Sequence, residues 1–172
     1  MDQPAPSYFA RLPDDDGRPA AELVDRYAAG PPRLRAAVEG MDRQALLARP
    51  EPGRLSSLEV LGHIADCDQY LADRMKRTIA LERPLLIGAD TNRYHEALAY
   101  QEREAAPLLA LVEATRLQFA GDLRRLPGPA WRRAGLHTEV GLFTLRMQLL
   151  YTIKHLEGHA AAIQRKRALL GA

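Results

Sequence analysis

The chain has 172 residues, with 24 Lys and Arg against 22 Asp and Glu, for a formal net charge of +2. That length fits one domain able to bury a core without disulfides or a structural metal, and an apolar share of 47% excludes a disordered chain. The near-balanced charge gives no electrostatic footprint for nucleic acid despite a pI near 8.8. The single cysteine excludes an internal disulfide, and no apolar run approaches a membrane span, so a cytoplasmic location is expected by default.

Residues 1–18 read as an N-terminal arm or tail, rich in Asp and Pro and without a basic-then-apolar targeting pattern. A single domain is expected over residues 19–172. From Pro19 the pattern turns helical: Leu23, Tyr27, Leu34 and Val38 fit one face, and Gly30, Pro31 and Pro32 must kink or split that helix. A short helix is expected over 42–49, with Asp42 as its N-cap. Ser56, Ser57, Leu58 and Glu59 form a capping box that opens a second long helix. Its core stripe is Val60, Ile64, Cys67, Leu71 and Met75, and it should end near Leu81, before Pro84.

Asp90 or Thr91 is placed to cap a short helix ending near Tyr100. Pro107 suits the first turn of a third long helix with the stripe Leu108, Val112, Thr115, Phe119, Leu123 and Leu126. Residues 127–143 read as a loop carrying Trp131 and His137. A last helix is expected from Thr144 to about Leu170, with Leu149, Ile153, Leu156, Ala160 and Ile163 inward. No segment alternates with period two, so no sheet is expected, and no solenoid repeat is visible. Four long amphipathic helices with short linking ones point to an all-α four-helix bundle.

Chemistry concentrates in the histidines. His155 and His159 are spaced i, i+4, which puts their Cβ atoms about 5–6 Å apart on one helix face, within reach of one ion. The pair alone is a weak signal, equally compatible with two core-edge imidazoles. His63 shifts the reading: it borders the stripe of the second long helix, as His159 borders Leu156 and Ile163. Both edges must turn toward the bundle interior or a helix seam, which makes His63, His155 and His159 a candidate ligand set.

Residues 55–66 resemble the second-helix motif of the DinB/YfiT-like superfamily, roughly Trp-Ser-x-x-Glu-Val-x-x-His-x-x-Asp, here carried by Ser56, Glu59, Val60, His63 and Asp66. His155 and His159 resemble its fourth-helix His-x-x-x-His signature, and Gly141 to Thr144 resemble its glycine-and-threonine lead-in. The resemblance spans about residues 20–170. Leu55 departs from it, standing where the family often has Trp; that removes an aromatic packing residue and no ligand. The resemblance implies a four-helix bundle of the DinB/YfiT-like type with short additional helices, often a homodimer. It also implies one divalent metal ion, Zn or Ni, held by residues matching His63, His155 and His159. Neutral imidazole does suit zinc, nickel, copper and iron over calcium or magnesium. Three protein ligands leave a position open, as in catalytic sites. A water there has its pKa lowered to near 7, and a substrate thiol binds there as thiolate.

Asp66, at i+3 from His63, lies on the right face to accept the other ring N–H or to act as a general base, and it is the candidate catalytic residue. Glu59 is explained by capping. Glu157, two residues past His155, turns about 200° away from the metal face and argues against a His-Glu-x-x-His protease. Cys67 reads as a buried structural thiol in preference to a nucleophile. His137 reads as a surface residue or one lining the mouth of the site, and His95 as packing or surface. Arg116 is expected to pair with an acid across the bundle, and Arg165, Lys166 and Arg167 to sit at a helix C-terminus. No phosphate loop, serine elbow or paired-cysteine motif is present.

Three functions follow. One is a metal-dependent transferase that activates a low-molecular-weight thiol and passes it to a small-molecule electrophile. Another is a metal-dependent hydrolase. The alternative to both is a non-catalytic dimeric bundle with a vestigial or sensory metal site.

Overall fold

Two prolines decide where the first helix breaks. The computed structural model describes residues 17–91 and 93–171; of the expected 1–18 arm only Gly17 and Arg18 fall inside, and the rest lies outside the described residues. Helices α1 (Ala20–Ala28) and α2 (Gly30–Val38) meet at Ala29, with Pro31 and Pro32 in the first turn of α2. The missing N–H groups cost nothing there, whereas in the interior of one continuous helix they would leave carbonyls unpaired. Leu23, Tyr27 and Leu34 are fully buried along the pair.

Three caps fall as the sequence predicts, whereas the short helix before Tyr100 starts after Arg93 with no side-chain cap from Asp90 or Thr91. Asp42 accepts the Ala45 N–H at 2.8 Å and opens α3 (Arg43–Leu47). At the start of α4 (Ser57–Ala80), Ser56 Oγ accepts the Glu59 N–H at 3.2 Å and Glu59 Oε2 accepts the Ser56 N–H at 2.7 Å. Helix α6 spans Ala105–Arg124, and α7 spans Leu145–Leu170, opened by Thr144 Oγ1 accepting the Met147 N–H. The segment between α4 and α6 holds only a one-turn helix, α5 (Tyr94–Ala97), and a 3₁₀ turn (Tyr100–Glu102). Ala99 between them sits in the left-handed region, which divides the longer helix expected there.

Helices α1 and α2 pack on α6 and α7, and α4 packs on the same two. The first and second long helices are therefore diagonal, and residues 39–56 and 125–144 cross the bundle between diagonal corners. Among the described residues no helix is long and apolar enough to cross a membrane.

One ion pair lies at the centre. Arg116 on α6 donates from Nε and Nη2 to Asp68 on α4 at 2.6 and 2.9 Å, and to the carbonyls of Tyr27 and Thr152 at 3.3 and 3.1 Å. Both charged side chains are sealed from solvent. This is the partner across the bundle expected for Arg116, and its hydrogen bonds reach α1, α4 and α7 together.

The structure also corrects the absence of a sheet expected from the sequence. Residues 127–143 are not a bare loop: after a 3₁₀ turn (Gly128–Arg132) they form β2 (Ala134–His137) and β3 (Gly141–Thr144). With β1 (Leu85–Leu86) these make a three-stranded sheet, β1 parallel to β2 and β2 antiparallel to β3. Strands of two to four residues are too short to display alternation. Gly135 permits the pairing, because a Cβ there would meet Leu86 Cδ1 at 2.6 Å and the Pro84 carbonyl at 2.9 Å. The inner face carries Leu86 and Phe143 into a small cluster with Cys67, Leu71 and Tyr151, which places the sheet beside the histidines. Arg74 on α4 ties the sheet down by donating to the Ile87 carbonyl.

Candidate metal centre

The capping box fixes where α4 starts, and therefore which residues face α7. Ile64 and Leu61 enter the core, and His63 falls on the edge between that core and solvent. On α7, Leu156 and Ile163 are buried, and His155 and His159 flank them. The three rings meet across the α4–α7 seam. Their centroids are separated by 5.0 Å (His63 to His155), 4.7 Å (His63 to His159) and 4.6 Å (His155 to His159). The Nε2 atoms of His63 and His155 are 3.1 Å apart.

A sulfur joins them. Cys67, one turn after His63 on α4, is fully buried, and its Sγ lies 3.6 Å from His63 Nε2 and 3.7 Å from Nδ1. The Tyr70 hydroxyl donates to this sulfur at 3.2 Å. One donor atom each from His63, Cys67 and His155 fall within 4.8 Å of one another. His155 stacks on Tyr151 at 5.8 Å between ring centroids. Tyr151 meets Phe143 edge-on, and Phe143 meets His137 edge-on, so a run of rings links the sheet to the histidines.

Burial dominates the electrostatics. It pulls the His63 imidazole down to about 4, with Asp66 opposing and the charge of His95 assisting. Burial likewise pulls His159 to about 3 and His155 well below the usual imidazole value, each further lowered by neighbouring His63. All three are therefore neutral at pH 7, the form in which imidazole ligates a metal. Burial pushes the Cys67 thiol up to about 12, against the Tyr70 hydrogen bond. Converging neutral nitrogens and a sulfur fit a borderline divalent ion such as zinc or nickel better than a hard oxygen-seeking one.

Asp66 sits near this group but is turned outward. Its Oδ1 and Oδ2 accept from Arg103 at 3.0 and 3.2 Å, and Oδ2 also accepts from the Tyr100 hydroxyl at 2.5 Å. Gly62 allows that arrangement, because a Cβ there would meet the Tyr100 ring at 2.9 Å. His137 is not a surface residue: it is 2% exposed on β2, and its Nδ1 accepts the Glu139 N–H. His95 is half-buried on α5. Glu157 points away and accepts from Arg26 and Arg33, binding α7 to α1 and α2. Arg165 pairs with Glu51, and Arg167 donates to the Ala36 and Glu39 carbonyls at the end of α7. The sequence reading left Cys67 and Tyr70 out of the site, although the i, i+4 spacing of His63 and Cys67 was the available signal.

Fold and site together define a helical bundle that brings three imidazoles to one seam between two sequence-distant helices. The sequence profile of the DinB superfamily matches residues 26–163, and the chain belongs to that family. It is similar in structure to YfiT from Bacillus subtilis, described as a probable metal-dependent hydrolase with an unusual four-helix bundle topology. That likeness has a TM-score of 0.85 at 22% sequence identity and covers 94% of this chain and 92% of the other. At that identity the likeness is one of fold. No curated protein matches the chain in sequence.

Proposed function

We infer that this protein is a metal-dependent hydrolase of a small molecule, with one zinc or nickel ion held by His63, His155 and His159. The observation that carries this reading is the convergence of three neutral rings whose centroids lie 4.6–5.0 Å apart, two of them, His63 and His159, reaching solvent. Three protein ligands leave a coordination position open, as in catalytic sites, and His63 and His159 are only half-buried. The ion would supply Lewis acidity, polarising a carbonyl and acidifying water.

The remaining residues position these ligands. Tyr151 holds the plane of His155 by stacking. Asp66 acts on His63 through its charge, and we assign it an orienting role, because both of its oxygens already accept from Arg103 and Tyr100. The description of YfiT supports hydrolysis over other reactions of such a centre.

The test is an assay of zinc- or nickel-loaded protein on ester and amide substrates, run beside conjugation of a thiol to a halogenated aromatic. Hydrolysis that does not need added thiol, and that is lost in His155→Ala, is the expected result. Turnover only with thiol would replace hydrolysis by thiol transfer on the same ligands. Metal binding without either activity would leave a sensory or vestigial centre. The reading includes a homodimer, and light scattering that shows a monomer at all micromolar concentrations contradicts that part.

A further inference from the structure

The geometry points to Cys67 as a fourth protein ligand, so that the resting centre is His63, His155, His159 and the Cys67 thiolate. This rests on the three-histidine reading above and changes what that centre is: any water or substrate then takes a fifth position, not a fourth.

Cys67 is not placed as a simple core filler. It belongs to the apolar cluster of Leu71, Leu86, Phe143 and Tyr151, yet its sulfur lies at the border of that cluster, against both ring nitrogens of His63 and the hydroxyl of Tyr70. Ligands about 2.05 and 2.3 Å from a tetrahedral ion, the usual zinc–nitrogen and zinc–sulfur lengths, stand about 3.6 Å from each other. The Cys67 Sγ to His63 Nε2 distance is 3.6 Å. Two nitrogens at the same metal stand about 3.3 Å apart, and the His63 and His155 Nε2 atoms stand 3.1 Å apart. These two spacings are close to those of a bound set; Sγ also lies 3.7 Å from His63 Nδ1, so the His63 ring has to turn on ligation to aim Nε2 alone at a shared ion.

Ligation breaks the S–H bond and forms a metal–sulfur bond, and the proton leaves to solvent past the half-buried His63. A bound divalent ion deprotonates a coordinating thiol outright. Tyr70 then donates its O–H to the thiolate, an orienting contact of the kind metal ligands ordinarily receive. A thiolate in the set also biases the centre toward zinc, cobalt or nickel over magnesium, calcium or manganese.

Cobalt(II) is the probe. The full chain, purified without a polyhistidine tag and stripped of metal, is titrated with cobalt(II) as wild type, Cys67→Ser, Cys67→Ala and His63→Ala. The expected result is a near-ultraviolet thiolate-to-cobalt charge-transfer band that saturates at one ion per chain in the wild type. Both Cys67 variants lose that band, keep the visible ligand-field bands, and bind zinc about 10- to 100-fold more weakly. Wild-type cobalt binding with ligand-field bands but no charge-transfer band overturns the proposal and leaves the three-histidine centre intact. No binding above the His63→Ala level overturns both.

Discussion

The Nε2 atoms of His63 and His155 stand 3.1 Å apart, although 92 residues separate them in the chain. Nothing local produces that approach. It follows from α4 and α7 packing on each other with their buried stripes in register, His63 beside Ile64 and His155 beside Leu156. At that distance one Nε2–H donates to the other Nε2, and a bound cation would take the place of that proton.

The Arg116–Asp68 pair sets the register behind the site. Removing one partner leaves an uncompensated buried charge, which costs about 3–5 kcal/mol. Asp68→Ala should therefore show a large fall in urea-unfolding free energy. The double variant Asp68→Leu, Arg116→Met should recover much of it. A double variant less stable than Asp68→Ala would show that the pair is worth more than its desolvation.

Glu59 gives a pH signature. Burial opposes its ionisation, but hydrogen bonds from the Ser56 backbone, Arg49 and the Ser56 hydroxyl hold its carboxyl below the usual range. The unfolded chain thus takes up this proton first as pH falls. The stabilisation is complete above the ordinary glutamate pKa of about 4.3 and is lost as pH drops through the lower folded value. Glu59→Gln should cost about 1 kcal/mol at pH 7, and the gap to wild type should close below pH 4 in chemical denaturation. A gap that is constant with pH contradicts the assignment.

The clamp on Asp66 is testable at Gly62. A Cβ at that position meets the Tyr100 ring at 2.9 Å, so Gly62→Ala must displace the ring that donates to Asp66. About 1–3 kcal/mol of stability should be lost by overpacking. Asp66→Asn keeps the volume but removes the charge beside His63 and weakens the Arg103 pair, so it should lower metal-free stability by about 1–2 kcal/mol and zinc affinity about tenfold in a competition titration; unchanged zinc affinity contradicts the orienting role.

The sequence carried the helices well because their signals are local. Asp42, Ser56 with Glu59, Thr144, and Pro31 with Pro32 each act within one turn, and each marks an observed boundary. The sheet was illegible because β1 has two residues and its pairing partner lies 51 positions away, Leu85 opposite Leu136. At the site, the imidazoles of residues 63, 155 and 159 were legible from stripe edges and from the family resemblance, and the structure brings their rings together. Cys67 reads as a buried structural thiol, and it is fully buried in the cluster with Leu71, Leu86, Phe143 and Tyr151; burial and ligation make the same demand on an inward position. Only the placement of Tyr70 and the His63 ring around its sulfur separates the two. His137 is illegible as a buried residue from the sequence, because the four-residue strand that turns it inward has no local signal.

Metal content per chain is the most direct measurement. Protein purified without an affinity tag, dialysed, and analysed by inductively coupled plasma mass spectrometry should carry close to one zinc or nickel ion per chain. His63→Ala, His155→Ala and His159→Ala, folded by circular dichroism, should each carry almost none. Equal, substoichiometric metal in the wild type and all three variants would contradict the account.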